Sequence, residues 1–97
     1  MSVANLQPYK RTAEFTETTI PAGLLRAHST KEGVWGRIHM LEGRLLYRVC
    51  DPRRPASEAL LTPDGEPGLI EPTILHEVEA QGPVRFFVEF LRPAGEG

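Results

Sequence analysis

The sequence predicts an all-β domain, a sandwich or barrel of short strands, and three observations carry this. Nine prolines and nine glycines are spread over 97 residues, so few stretches of a dozen residues escape both and long helices are disfavoured. Between these breaks lie short runs rich in β-branched, aromatic and aliphatic residues, separated by frequent turn signals. The length leaves room for one core only, so the chain reads as a single domain over residues 1–97, with its core from about residue 9 to residue 92.

Taken in order, the first twenty residues hold few signals, with Phe15 and Ile20 at the edge of a strand. The strongest local pattern runs from Val34 to Val49. A two-residue turn at Glu42-Gly43 predicts a hairpin in which Leu41 faces Arg44, Met40 faces Leu45 and Ile38 faces Tyr47. Side chains alternate across a strand, so Ile38, Met40, Leu45, Tyr47 and Val49 form the core face. Arg37, His39, Leu41, Arg44, Leu46 and Arg48 form the wetter face. The segment Gly65-Glu66-Pro67-Gly68-Leu69-Ile70-Glu71-Pro72 reads as turn, short strand and turn. A second hairpin is expected between His76–Glu79 and Val84–Leu91. Its four-residue loop pairs Glu79 with Val84 and His76 with Phe87, bringing His76 and Glu89 to one face. A slip of one residue reverses every side chain.

Composition narrows the function classes. The formal charge is −2, the apolar content 40% and the charged content 25%, all ordinary for a globular protein. No basic stripe marks a nucleic-acid partner. The densest basic cluster, Asp51-Pro-Arg-Arg-Pro55, reads as a solvated loop. The apolar runs fall far short of the ~20 residues that cross a bilayer. Cys50 is the only cysteine; it reads as a partly buried structural thiol at a strand end, and with no secretory leader it points to the cytoplasm. The small core and the aromatic run from Phe86 to Leu91 predict a homodimer.

Three histidines are available for chemistry. His39 lies among Arg37, Arg44 and Arg48, where cations disfavour a further positive centre, and it is set aside as a ligand. His28 and His76 each sit at the edge of a strand-like run. Neutral imidazole is the commonest metal ligand, and carboxylates complete such sites. Glu89, inside Phe86-Phe87-Val88-Glu89-Phe90-Leu91, is costly to bury without a compensating charge or metal. The alternative is that each histidine is a satisfied polar residue and that Glu89 alternates out to solvent.

Three blocks carry a family resemblance: Pro21 to Gly36, Glu71 to Val78, and Phe86 to Phe90. Together they resemble the cupin-like domain associated with the tellurite-resistance protein TehB. The resemblance implies a small cupin-like β-barrel (a double-stranded β-helix, or jelly roll). It also implies a divalent transition metal (zinc, iron, manganese or nickel) on His28, His76 and Glu89. Glu79 is then a further ligand or a partner of the ligands; Arg26 is a candidate anion contact, and Trp35 either plugs a barrel end or contacts a substrate. Gly43 fits the broad cupin glycine, but a His-x-His pair is missing and Gly36 stands near the place of the glutamate. The expected function is a metal-binding protein that meets a small molecule or oxyanion in stress of the tellurite or nitrogen-oxide kind. A metal-dependent oxygenase or isomerase and a metal-free binding module are the alternatives. The methyltransferase part of TehB is not carried over.

Overall fold

The computed structural model of the protein describes residues 5–94. Its strands are β1 (Leu6–Arg11), β2 (Phe15–Thr16), β3 (Trp35–Glu42), β4 (Leu45–Val49), β5 (Ser57–Leu61), β6 (Gly68–Ile70), β7 (His76–Ala80) and β8 (Arg85–Pro93). A 3-10 helix at Ala22–Leu25 follows Pro21, and no α-helix occurs among the described residues. Among the described residues no helix is long and apolar enough to cross a membrane.

The strands form two sheets, antiparallel at every pairing. One has the order β1-β8-β3-β6, with β2 also on β8; the other has the order β5-β4-β7. The all-β expectation is met, but the sheets do not close into a barrel. Alternation decides which side of each strand meets the core. On β3, Ile38 and Met40 are buried while Arg37 and His39 are half-buried. On β4 Leu45 and Tyr47 are buried, on β7 His76 and Val78, and on β8 Phe86 and Val88. The apolar side chains among these, with Leu61, Ile70 and Val84, make one core cluster, which Val49 joins partly buried. Fully burying a large apolar side chain is worth about 1.5–3 kcal/mol, so this shared interior is the main stabilising term.

Both expected hairpins are overturned. Met40 pairs with Phe86 of β8, and Ile38 with Val88 and Gly68. Leu45 pairs with Leu61 and Ala80 instead of Met40. The turn at Glu42-Gly43 carries the chain from one sheet to the other, and the loop after Ala80 carries it back. In the first hairpin the faces were read correctly and the partners were not; in the second, Glu89 was placed on the face of His76 and lies on the outer face instead. A single flat hairpin would leave its apolar face open, whereas a chain that changes sheets lays Met40 and Leu45 against a common interior from opposite sides.

The two corner turns pack against each other. The Gln81 amide donates to the Arg44 carbonyl at 2.9 Å. Gly43 has φ +81°, and a Cβ there would stand 2.1 Å from the Pro83 carbonyl oxygen. Outside the barrel of expectation, the outer face of the second sheet is tied by Arg48. Its guanidinium reaches Glu58 on β5 and Glu77 and Glu79 on β7, at 2.9, 3.1 and 2.6 Å.

Gly43→Ala combines left-handed strain with a backbone clash, and is expected to destabilise the fold by roughly 2 kcal/mol or more. Gly33 has a similar φ of +80° with nothing within 4 Å of an added Cβ. Gly33→Ala therefore carries the strain alone, about 1 kcal/mol. Urea unfolding midpoints of the two variants check the difference; equal losses would show that the corner contact contributes nothing.

Candidate functional site

The structure brings His28 and His76 together at the free edge of β7. The His28 amide donates to the His76 carbonyl at 2.8 Å, and the His76 amide returns a bond to the His28 carbonyl at 2.9 Å. This isolated antiparallel bridge extends the second sheet by one short crossing segment. Two residues on, the Thr73 amide donates to the Thr30 carbonyl at 3.1 Å and holds the same segment. The two imidazoles meet edge to face, with centroids 5.6 Å apart and planes at 86°. The Tyr47 ring lies 5.8 Å from His76 on the core side.

His76 is 1% exposed, whereas His28 is exposed. The His76 Nδ1 lies 3.1 Å from the Ile74 carbonyl. A carbonyl only accepts, so Nδ1 carries the proton and Nε2 is left with its lone pair. Nε2 is buried and has no partner among the described residues. Burial holds this imidazole below its ordinary pKa, and neighbouring His28 adds to the effect. His76 is therefore neutral at pH 7.

A cavity of about 220 Å³ lies beside the pair. Phe15, Leu24, Ile70, Val88 and Phe90 supply its apolar walls, Thr12 and Thr30 part of its rim, and both histidines line it. Sequence reading identified the histidines but missed these walls. The only signal was the alternation Phe86, Val88, Phe90 along one strand, which says nothing of the 3-10 helix whose Gly23 and Leu24 also line the cavity.

The other expected site residues lie elsewhere. Glu89 sits on the outer face of β8, where its Oε1 accepts from His39 Nε2 at 2.9 Å and lies 3.6 Å from Arg37 Nη1. His39 in turn stacks on Phe87 with centroids 4.9 Å apart. The carboxylate thus meets its charge requirement outside, next to the histidine that was set aside. Glu79 is bound to Arg48, and that guanidinium holds its carboxyl below the usual range. Arg26 is exposed just after the 3-10 helix, and Trp35 is half-buried opposite Leu91 at the start of β3. None of these four lines the cavity.

The metal expectation is corrected accordingly. Among the described residues no group of three or more His, Cys, Asp and Glu side chains converges to hold an ion. The ligand set required β7 and β8 to be neighbours, and they belong to different sheets. Two imidazoles without a third donor, one of them with Nδ1 bonded to the chain, make no transition-metal site of the kind inferred. The zinc, iron, manganese or nickel cofactor and the metal-binding cupin function are withdrawn.

Asp51 is a further residue that sequence reading misjudged. Placed in a solvated loop, it is instead 4% exposed. Its carboxylate accepts from the Arg53 amide at 2.8 Å, the Leu75 amide at 3.0 Å and the Arg53 guanidinium at 2.9 and 2.7 Å. Those bonds, the guanidinium foremost, hold its carboxyl well below the usual carboxylate range. Arg53 also donates to the Thr73 carbonyl at 2.6 Å, and Thr73 stands at φ +64°, a strained value for a β-branched residue. This network fixes the approach of the chain to His76. Cys50, expected to be partly buried, is exposed. Residual desolvation and the carboxylates of Glu77 and Asp51 push its thiol pKa up, which leaves it a poor nucleophile.

These features define an all-β domain of two antiparallel sheets with an edge cavity next to a buried, unpaired imidazole. A family model described as the TehB-like domain matches residues 10–88. The chain belongs to the TehB-like domain family. Two curated relatives, both called probable S-adenosyl-L-methionine-dependent methyltransferase TehB, come from two strains of Haemophilus influenzae. They are 32% and 30% identical over 73 residues, 74% of this chain and 26% of each relative. The crystal structure of Haemophilus influenzae TehB superposes with a TM-score of 0.83 at 26% identity, covering 92% of this chain and 32% of that one. A crystal structure of an Escherichia coli K12 protein has the same fold at a TM-score of 0.79, with 22% identity over 96% of both chains. The chain therefore spans about a quarter of the curated relatives it matches.

Two outcomes are expected. Asp51→Asn removes a carboxylate whose folded pKa is depressed, so the stability it contributes is present above about pH 4 and lost as pH falls through the lowered folded value. The variant should be less stable than wild type at pH 7, and the gap should narrow below about pH 4; thermal melts across that range check it. Glu89→Gln should change stability by less than about 1 kcal/mol, as for a partly exposed ion pair. It should also leave the amide resonances of His28 and His76 in place, which a two-dimensional NMR spectrum checks.

Proposed function

We propose that this chain is a non-catalytic recognition module serving an S-adenosylmethionine-dependent methyltransferase of the TehB kind. One observation carries the reading. The chain matches 26% of the named methyltransferases, and every strand pairing in its described residues is antiparallel. A nucleotide-type cofactor is ordinarily held where a glycine-rich turn leads from a parallel strand into a helix N-terminus. The described residues contain no parallel pairing, and their helix at Ala22–Leu25 is four residues long. The cavity beside the histidine pair, at about 220 Å³, is below the ~300 Å³ at which pockets for drug-sized ligands begin, and the larger hollow of about 730 Å³ around Cys50 and Arg54 is lined without a glycine-rich turn or a helix N-terminus. S-adenosylmethionine does not fit these residues, and the reading assigns the donor to the remaining three quarters of such an enzyme.

Two finer statements belong to the same proposal. The strand order β1-β8-β3-β6 facing β5-β4-β7 supports a double-sheet jelly roll in which β2 is the shortened eighth strand. The exposed free thiol of Cys50 suits a reducing compartment and supports a cytoplasmic setting.

The test is methyl transfer in parts. The chain alone should neither transfer a methyl group nor bind S-adenosylmethionine more tightly than about 1 mM by calorimetry. Supplied to Haemophilus influenzae TehB lacking the matching quarter, it should raise the methyl-transfer rate severalfold. Binding of the donor by the isolated chain, or a truncated enzyme as fast without the chain as with it, rules the reading out.

A further inference from the structure

We propose that the cavity beside His28 binds a small, uncharged, mainly apolar molecule that carries one hydrogen-bond donor, and that His76 Nε2 accepts that donor. The inference stands on the cavity itself and holds whatever enzyme the chain serves.

The first argument is an unpaired acceptor. Buried side-chain nitrogens nearly always have a partner, and each exception calls for an explanation. The bond from Nδ1 to the Ile74 carbonyl fixes the tautomer and turns the ring back toward its own strand. Nε2, on the ring edge farthest from the backbone, is shielded and unpartnered, in a ring that lines the cavity together with His28. A hydroxyl or amide N–H arriving from the cavity completes the ring's hydrogen bonding. A second acceptor does not.

The second argument concerns what the walls exclude. Phe15, Leu24, Ile70, Val88 and Phe90 are apolar, and no Lys, Arg, Asp or Glu lines the space. An anion or cation placed there would lose its hydration with nothing to replace it. The third argument is size. A volume of about 220 Å³ equals roughly seven waters at their liquid share of ~30 Å³. The occupant is then a compact body of about seven to ten non-hydrogen atoms. His28 supplies the entrance: its exposed ring stands across that of His76, so it is the side chain that swings aside when a ligand reaches Nε2.

The probes are phenol, toluene and benzoate, each added to wild-type protein labelled with nitrogen-15. Phenol should shift the amides of Leu24, Val88 and Phe90 saturably and should move the His76 Nε2 resonance. Toluene has the same bulk without the donor and should bind there about tenfold more weakly, because it leaves the acceptor unpaired. Benzoate should not enter. In His76→Phe the preference for phenol over toluene should vanish. The proposal is overturned by equal binding of phenol and toluene to the wild type, or by benzoate binding best. It is equally overturned by phenol shifts confined to the separate hollow lined by Val49, Cys50, Pro52 and Arg54, or by no saturable shift at concentrations of order 10 mM. Should His76→Phe not fold, the wild-type Nε2 resonance decides: a signal that phenol leaves unmoved overturns the proposal. None of these results alters the expected outcome of the methyl-transfer assays.

Discussion

The two corner turns meet where the Gly43 α-carbon faces the Pro83 carbonyl so closely that a Cβ would stand 2.1 Å from the oxygen, and the two-sheet arrangement depends on that approach. Consecutive strands β3 and β4 leave the corner in different sheets, as do β7 and β8. The bond from the Gln81 amide to the Arg44 carbonyl locks the corners together. With the corners fixed, Ile38 and Met40 face Leu45, Tyr47 and Val78 across one interior. Any residue at position 43 with a Cβ forces the corners apart, and the shared core opens with them.

At the other end of β7 the constraint is polar. Asp51 gathers the Arg53 guanidinium and two backbone amides around one buried carboxylate. Arg53 then holds Thr73 at a positive φ, and three residues later His76 enters its strand. Strained backbone persists where the surroundings over-determine it, and here the over-determination places one imidazole in an apolar setting with a free lone pair. The reciprocal bridge from His28 covers the free edge of β7 at His76, where the backbone groups would otherwise be unpaired. Polar anchoring, edge protection and the cavity wall are thus one local structure.

The likeness to TehB and the architecture together separate two kinds of chemistry. The names of the relatives speak of methyl transfer, while the matched quarter offers antiparallel sheets and an apolar recess. The recess is walled by phenylalanine and aliphatic side chains around one buried imidazole. Group transfer and selection of a ligand are different physical tasks, and the proposed reading gives this chain the second.

Alternation along the strands was legible in the residues. Ile38, Met40, Leu45 and Tyr47 were assigned to the core face and are buried, while Arg37, His39 and Arg48 were assigned outward. His28 and His76, which the structure brings together, were paired as candidate ligands from their place at strand edges and then from the family resemblance. Strand partners were not legible, because the pleat has a period of two and fixes the face of a residue without naming its neighbour. Glu89 shows the consequence: an assumed β7–β8 hairpin put it beside His76, whereas β8 pairs with β3 and its carboxylate meets His39 and Arg37 outside. Asp51 shows the same limit for polar residues. A short Asp-Pro-Arg-Arg run looks solvated until the chain folds Leu75 and Thr73 over it. By itself, then, the sequence determined the fold class and which side chains share an interior, since both follow from local periodicity. The tertiary structure alone decided which strands are neighbours, because that depends on where each turn directs the chain, and so it decided which polar groups meet.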